Sequence, residues 1–432
     1  MLKNLLFLFF LYLPFQIALN PMEGIDLASI RVIITIIFLL WILQGLKNKK
    51  IIIPFNLVTA LIFSFLFLDI FSLFFATNIE WGIRKLLFIF SIFPLYFVIA
   101  SLSSQRKGFL FTILKFLVWG AGISALIGFF QFISQFFFGI TKTYSLWTKI
   151  IVPFLGKSFS EAVLNNSSWL VNIAGHTFLR ATAFFPDPHM FSFYLGITAP
   201  LALSLHLFKH STSNYFGFLF LIIVLVDFLT FSRGGYLGLL FGLSFFAFFY
   251  LKQKNYSFFQ QSIKQSFAHK NIINKTFLSS GLISILIFLF FIIPNPATQR
   301  LFSSFNLSEG SNIGRLEMWR QSLNIIKKNP VLGVGLGNYA STIKPSAIYR
   351  EPIYSHNTYL DIAVETGILN AFIWIAILIL SINNFIRRFI KTKNLIYLGL
   401  ASGLVVFTIH SIFDTAIFSV HILPLIMLII AV

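Results

Sequence analysis

Cysteine is absent from all 432 residues, so neither a disulfide nor a thiolate metal site can form. Charge is scarce as well. Only 10% of residues are Asp, Glu, Lys or Arg, and acids are the rarer sign, 13 against 32 bases. With 57% hydrophobic residues and a mean hydropathy of +0.87, the composition excludes an ordinary soluble domain and indicates an integral membrane protein. The 58 phenylalanines reflect this bias as a group, and no function attaches to any single one.

Apolar runs close to the roughly 20 residues needed to cross a bilayer recur along the chain, separated by short polar loops. They predict twelve spans, near 4–20, 27–45, 55–76, 83–102, 109–137, 190–207, 215–231, 235–251, 276–293, 367–386, 395–413 and 416–432. The expected fold is all-α: about twelve transmembrane helices in one polytopic membrane domain over 1–432, with a large extracytoplasmic loop of short amphipathic helices. Two long intervals interrupt the runs, 138–189 as a first outer loop and 294–366 as the main outer loop, a lid over the site. A shorter basic interval covers 252–275. The opening stretch MLKNLLFLFFLYLPFQIALNP places Lys3 before an apolar run, as a signal peptide does, but no small-x-small cleavage site follows Ile17 and an uncleaved first helix is expected.

Lys and Arg are retained on the cytoplasmic side of short loops. With the N-terminus inside, the inner segments hold sixteen basic residues, among them Lys47, Lys49, Lys50, Arg106, Lys107, Lys209, Arg387 and Lys391, and no acid. The net charge of +19 is then mostly a topology signal with some attraction to anionic membrane lipids, which argues against nucleic acid as a partner. The same orientation puts both long loops outside, together with Arg233 between spans seven and eight.

Four segments converge on that face: HTFLRATAFFPDPHMFSFYLG around Arg180, FSRGGYLG around Arg233, GRLEMWRQSLNIIKKNPVLGVGLGNY around Arg315, and SHNTYLDIAVETG around His356. Only Ser232, Gly234 and Gly235 accompany Arg233 between two apolar runs, so its guanidinium sits at interface depth, either snorkelling to headgroups or facing a bulky anion for which the glycines clear room. From Arg315 onward, Leu316, Trp319, Leu323 and Ile326 recur at helical spacing while Arg320, Lys327 and Lys328 take other faces, which predicts an amphipathic helix against the membrane. Pro330 stops it, and Gly333, Gly335 and Gly337 predict a flexible turn. Thr358 and Asp361 read as a capping box for a helix starting near Asn357, with His356 just outside it. Glu365 lies one turn further on, facing the same way, and calls for a partner.

Arginine stays charged, and its fork matches phosphate oxygens in pairs. In a partly dry site a cation about 4 Å from an anion is worth on the order of 4 kcal/mol before desolvation, enough to assist a phosphate leaving group. No DxD or histidine cluster marks a metal in the outer loops, so arginines are the available electrophiles and no cofactor is implied. An imidazole at His356 titrates near neutrality and could take a proton from an attacking hydroxyl.

In order and spacing, RATAFFPDPHMFSFYLG, FSRGGYLG, GRLEMWRQSLNIIKKNPVLGVGLGNY and SHNTYLDIAVETGILNA resemble the O-antigen ligase and O-antigen polymerase superfamily, over residues 170–380 in motifs and over the whole chain in topology. The resemblance implies a metal-independent glycosyltransferase of the bacterial cytoplasmic membrane, with both termini cytoplasmic and an extracytoplasmic site. Its donor would be a glycan on undecaprenyl diphosphate, and its acceptor a hydroxyl of a glycan, lipid or protein, in surface polysaccharide and lipopolysaccharide assembly. It further implies that Arg233 and Arg315 hold the diphosphate with Arg180 as a further basic position, that His356 positions or deprotonates the acceptor, and that Glu365 fills the acidic position after the histidine. His189 departs from the pattern, where asparagine after "DP" is commoner, and leaves it and Asp187 doubtful members of the site. The competing reading is a transporter or solute channel, for which Asp69, Asp227 and Asp414, with Arg31, Arg84, Lys85 and Lys115, are the ionisable residues in or near spans. No internal repeat accompanies them.

Overall fold

The structure, a computed structural model, describes residues 2–22, 25–105, 108–165, 168–173, 175–208, 214–264, 296–303, 310–349, 351 and 353–432. It is mostly helical. Helices dominate because a backbone in hydrocarbon has to satisfy its own N–H and C=O groups.

The first half comprises α1 (Leu2–Tyr12), α2 (Ser29–Lys47), α3 (Leu57–Ser72), α4 (Ile79–Ile92), α5 (Pro94–Gln105) and α6 (Phe109–Phe138). Asn56 and Asn78 cap α3 and α4, their side chains accepting from the Thr59 N–H at 3.0 Å and the Trp81 N–H at 3.1 Å. Three short helices follow, α7 (Ile140–Ile150), α8 (Val152–Leu155) and α9 (Lys157–Asn165), and then α10 (Pro188–His206), α11 (Tyr215–Leu229) and α12 (Arg233–Lys264). The remainder comprises α13 (Pro296–Phe302), α14 (Gly310–Lys328), α15 (Tyr339–Ile343), α16 (Thr358–Thr366), α17 (Ile368–Thr392), α18 (Leu395–His410) and α19 (Ile422–Ile430).

Two antiparallel hairpins depart from an all-α expectation: β1 (Ala18–Met22) with β2 (Ile25–Ala28), and β3 (Leu170–Ile173) with β4 (His176–Leu179). In the second, Gly175 takes φ +83°, a conformation open to glycine, and its N–H is accepted by the Asn172 side chain at 3.2 Å. The first straddles the junction between the runs at 4–20 and 27–45, and the second lies outside the apolar runs, where nothing forces the backbone to be helical.

Among the described residues six helical stretches are long and apolar enough to cross a membrane: Ser29–Lys47, Leu57–Phe75, Ile79–Ser103, Phe109–Phe138, Arg233–Gln253 and Ile368–Thr392. Leu2–Phe15, Tyr215–Leu229 and Leu395–His410 are apolar but shorter, so helix length does not establish a count of twelve crossings. The run expected at 276–293 and the 265–275 part of the basic interval at 252–275 lie outside the described residues. The long helices turn aromatic side chains outward, with Phe67 63% and Phe137 78% exposed, as a lipid-facing surface requires. α10 is instead buried along almost its whole length and packs between α11 and α18, so it forms the centre of the bundle.

The interval 138–189 folds over its own small core of Ile151, Leu155, Trp169 and Leu179. The Trp147 and Trp169 indoles donate to the Ala183 and Pro186 carbonyls, each at 2.9 Å, which pins the loop to the segment leading into α10.

Candidate active site

Three short segments at one end of the bundle carry the polar residues: 180–189, leading into the first turn of α10, 230–232 between α11 and α12, and 411–421 between α18 and α19. Asp187 caps α10 by accepting from the His189 and Met190 N–H groups at 2.8 and 2.9 Å. That cap fixes the His189 ring in the first turn. The Ser355–Asp361 segment is bound to the 411–416 linker: the Thr358 N–H donates to the Ser411 carbonyl at 2.9 Å, and the Thr358 hydroxyl to the Asp414 carbonyl at 3.0 Å.

Asp414 sits at the centre, with 3% of its surface exposed. Its Oδ1 accepts from the Thr415 N–H at 2.8 Å and lies 3.3 Å from His356 Nδ1, while its Oδ2 lies 3.6 Å from His189 Nδ1. Burial alone would raise its carboxyl, but the His356 hydrogen bond and the nearby His189 and Arg315 outweigh burial and hold it below the usual range. His356 adopts φ +53°, a left-handed conformation uncommon for a non-glycine residue and one that clusters at functional sites. With Nδ1 on the carboxylate, the His356 proton belongs on Nδ1 and the Nε2 lone pair points away from Asp414; the side chain is 36% exposed.

The arginines divide into two kinds. Arg180 is 3% exposed and already committed: its Nε donates to the Thr230 carbonyl at 2.6 Å, one terminal nitrogen to the Ser168 carbonyl at 3.0 Å, and the other lies 3.5 Å from His189 Nε2. Burial, and after it Arg300, lowers its guanidinium to about 9. Arg233 opens α12, with 5% of its surface exposed and one terminal nitrogen 3.4 Å from the Ser303 hydroxyl. Arg315 lies on α14 within electrostatic reach of Asp414, His189 and Tyr354, and among the described residues its buried Nε has no hydrogen-bond partner.

Several expectations change. Gly234 and Gly235 admit neighbouring helices, not a bulky anion: a Cβ on Gly234 would lie 2.8 Å from His410, and one on Gly235 would strike the Ser192 hydroxyl. Gly333, Gly335 and Gly337 form no flexible turn. All three take positive φ, and a Cβ on Gly335 would come within 2.5 Å of Ala76 and one on Gly337 within 2.9 Å of the Trp81 carbonyl. Nor do Thr358 and Asp361 form the capping box. Asn357 caps α16, accepting from the Tyr359 and Leu360 N–H groups at 3.0 Å each. Asp361 instead accepts from the Ser355 N–H at 2.8 Å and from the Thr415 hydroxyl, and burial pushes its carboxyl up to about 6. On α14 the apolar positions do not share one environment: Ile326 is buried while Leu316 and Leu323 stay 46% and 49% exposed.

Glu365 is placed apart from His356, in a network of its own. The Lys85 ammonium from α4 donates to both its oxygens at 2.8 and 2.6 Å, and the Gly337 N–H donates at 3.0 Å. Asn338 adds bonds to the Asn78 backbone on both sides, accepting from its N–H at 2.7 Å and donating to its carbonyl at 3.1 Å. These contacts bind the 330–338 turn to α4 and α16.

Asp414 had counted only among the ionisable residues of a transporter. Its place in HSIFDTAIF, at the junction of two apolar runs on the side of the long loops, was the available signal. Of the other two carboxylates in that group, Asp69 accepts from the Asn370 side chain at 2.8 Å and Asp227 from the Ser192 hydroxyl at 2.6 Å, each inside the helical core.

Fold and site together define a helical membrane protein with a histidine–aspartate pair and basic side chains gathered at one end of its bundle. The O-antigen ligase family model matches residues 217–375, from α11 into α17, and bears out the resemblance to that superfamily. The matched stretch includes Arg233, Arg315, His356 and Glu365 and leaves Arg180, Asp187, His189 and Asp414 outside. No curated protein matches the chain. The family match supports a membrane glycosyl-transferring role in surface polysaccharide assembly.

Proposed function

We propose that the chain transfers a glycan from a polyprenyl diphosphate, undecaprenyl diphosphate by the resemblance, to an acceptor hydroxyl at the outer face of the bacterial cytoplasmic membrane. The observation that carries this reading is the His356–Asp414 pair, with Nδ1 anchored at 3.3 Å, Nε2 turned away from the carboxylate, and Arg315 beside it. Such a histidine is poised to accept a proton.

The acceptor hydroxyl gives its proton to His356 Nε2 as its oxygen bonds to the anomeric carbon of the donor sugar. The bond from that carbon to the diphosphate oxygen breaks, and the electron pair leaves with the diphosphate. Arg315 and Arg233 meet the growing negative charge, so no metal is required. Arg180 contributes from behind, because its nitrogens are already engaged; it holds the Thr230–Ser232 linker that leads into Arg233. Glu365 acts by fixing the 330–338 turn to α4, which supports the reading of 294–366 as a lid.

Deletion of the gene followed by glycan analysis tests the reading. Chains shortened to one unit indicate a polymerase, and full-length chains left on the lipid carrier indicate a ligase. An unchanged glycan refutes the proposal. His356→Ala should reproduce the deletion at wild-type protein levels, and normal glycan banding in that strain removes His356 from the mechanism.

A further inference from the structure

We propose that His189 is a positioning residue for His356: held by Arg180 and the Ser232 hydroxyl, it presents its Nδ1–H toward one oxygen of Asp414, so that the other oxygen holds His356 in a single tautomer and orientation. The inference rests on the transfer reaction proposed above.

The direction of each hydrogen bond follows from what its donor can do. A guanidinium only donates, so Arg180, 3.5 Å away, makes His189 Nε2 the acceptor and leaves the His189 proton on Nδ1. That Nδ1–H faces the Ser232 hydroxyl at 3.0 Å and Asp414 Oδ2 at 3.6 Å. The Ser232 oxygen also accepts from the Gly235 N–H at 3.3 Å, and its own proton is directed to His410 Nε2 at 3.2 Å. Ser232 and His410 are fully buried, and the His410 ring stacks on Phe193 at 3.5 Å, so neither partner has room to turn. The His189 Nδ1–H thus makes its hydrogen bond to Ser232 and turns its positive edge toward Asp414 Oδ2 across 3.6 Å, while the Thr415 N–H binds Oδ1 at 2.8 Å, which leaves the remaining direction of Oδ1 to His356.

The charged and titratable groups facing the two rings are few. His189 meets Arg180 and Asp187 from its own linker, Arg315 from α14, His410 from α18, and Asp414. His356 meets Asp414 and the Tyr354 ring, 4.5 Å away. A histidine placed only for packing would need none of this ordered set.

Three variants of the full-length protein in proteoliposomes separate positioning from packing. In His189→Asn the amide nitrogen lies close to the imidazole Nδ1 position and keeps the donor to Asp414. In His189→Gln the amide reaches the Nε2 position, keeping bulk and the Arg180 contact while leaving Nδ1 empty. His189→Ala removes both. Transfer kcat should fall about 10- to 100-fold in H189Q and H189A, with the KM for a lipid-diphosphate glycan within about twofold, and H189N should recover to within about fivefold of wild type. Equal losses in H189N and H189Q, or no loss in H189Q, overturn the proposal.

A second readout does not need activity. Nitrogen NMR of the histidine-labelled protein at fixed pH should show His356 as a single Nδ1–H tautomer in wild type and as a mixture of the two neutral tautomers in H189Q. The single tautomer should return in H189N, and a tautomer state identical in all variants overturns the proposal. If the wild-type protein transfers no glycan, the transfer reading falls, while this spectrum still decides whether His189 positions His356.

Discussion

Replacing Asp414 with asparagine removes one charge at almost constant volume from the centre of the cluster. At the observed 3.3 Å a full imidazolium–carboxylate pair is worth about 5 kcal/mol at an effective dielectric of about 20. The His356 side chain is 36% exposed, so solvent screening reduces this to roughly 3 kcal/mol, or about a hundredfold in kcat. Geometry adds to the loss in the same direction. Asp414 accepts from Thr415 and His356 on one oxygen and faces the His189 Nδ1–H across 3.6 Å on the other, and an amide has only one acceptor to divide among them. Transfer from a labelled lipid-diphosphate glycan in proteoliposomes, normalised to folded protein, measures the effect. A D414N enzyme with kcat within threefold of wild type would refute the account of the pair.

Arg315→Lys should lose most of its activity although the charge is kept, because one ammonium cannot reproduce a two-point contact with phosphate, and near-normal transfer would count against the diphosphate role. Lys85→Met should cost about 3 kcal/mol of stability by stranding the Glu365 carboxylate, whose side chain is 4% exposed. Glu365→Gln should cost only about 1 kcal/mol, since it keeps an acceptor for Gly337 and leaves the partly exposed Lys85 access to water. Equal midpoints of detergent unfolding in these two variants would contradict the latch. Burial, reinforced by Asp414, pushes the Asp187 carboxyl up to about 6 from an ordinary 3.8, so this group favours the folded state below pH 4 and loses that contribution as pH rises to 6. Asp187→Asn keeps a capping side chain, and its thermal midpoint should gain on wild type across that window and hold the gain above it. A single cysteine at 345 in this cysteine-free chain should react with an impermeant reagent from outside, and one at 50 should not; the reverse would invert the orientation.

Legibility in the sequence followed the range of the physics involved. Helix positions were readable because hydropathy is a local property: the runs at 27–45, 55–76 and 109–137 correspond to helices Ser29–Lys47, Leu57–Phe75 and Phe109–Phe138. Local chemistry also announced a helix starting at Asn357 with His356 outside it. Which residue caps that helix was not readable, since Asn357 and Thr358 are both competent, and the box that Thr358 would need is broken because Asp361 is drawn away by Thr415, a partner 54 positions distant. The glycines misled for a related reason. Gly234, Gly235, Gly335 and Gly337 signal room for something, but only the packed neighbours show that the room is filled by His410, Ser192, Ala76 and Trp81.

Sequence by itself determined the membrane character, the mostly helical build, the positions of the apolar helices and the presence of isolated basic residues and a histidine in the polar segments between them, because each of these depends on composition or short-range spacing. Tertiary structure alone decided that Asp414 orients His356, that Arg180 is consumed by backbone carbonyls, and that Glu365 belongs to Lys85 and the glycine turn. Those pairings join side chains up to 280 positions apart, and burial makes each one exclusive: a carboxylate out of water takes the donors that the packing brings to it, which no local pattern encodes.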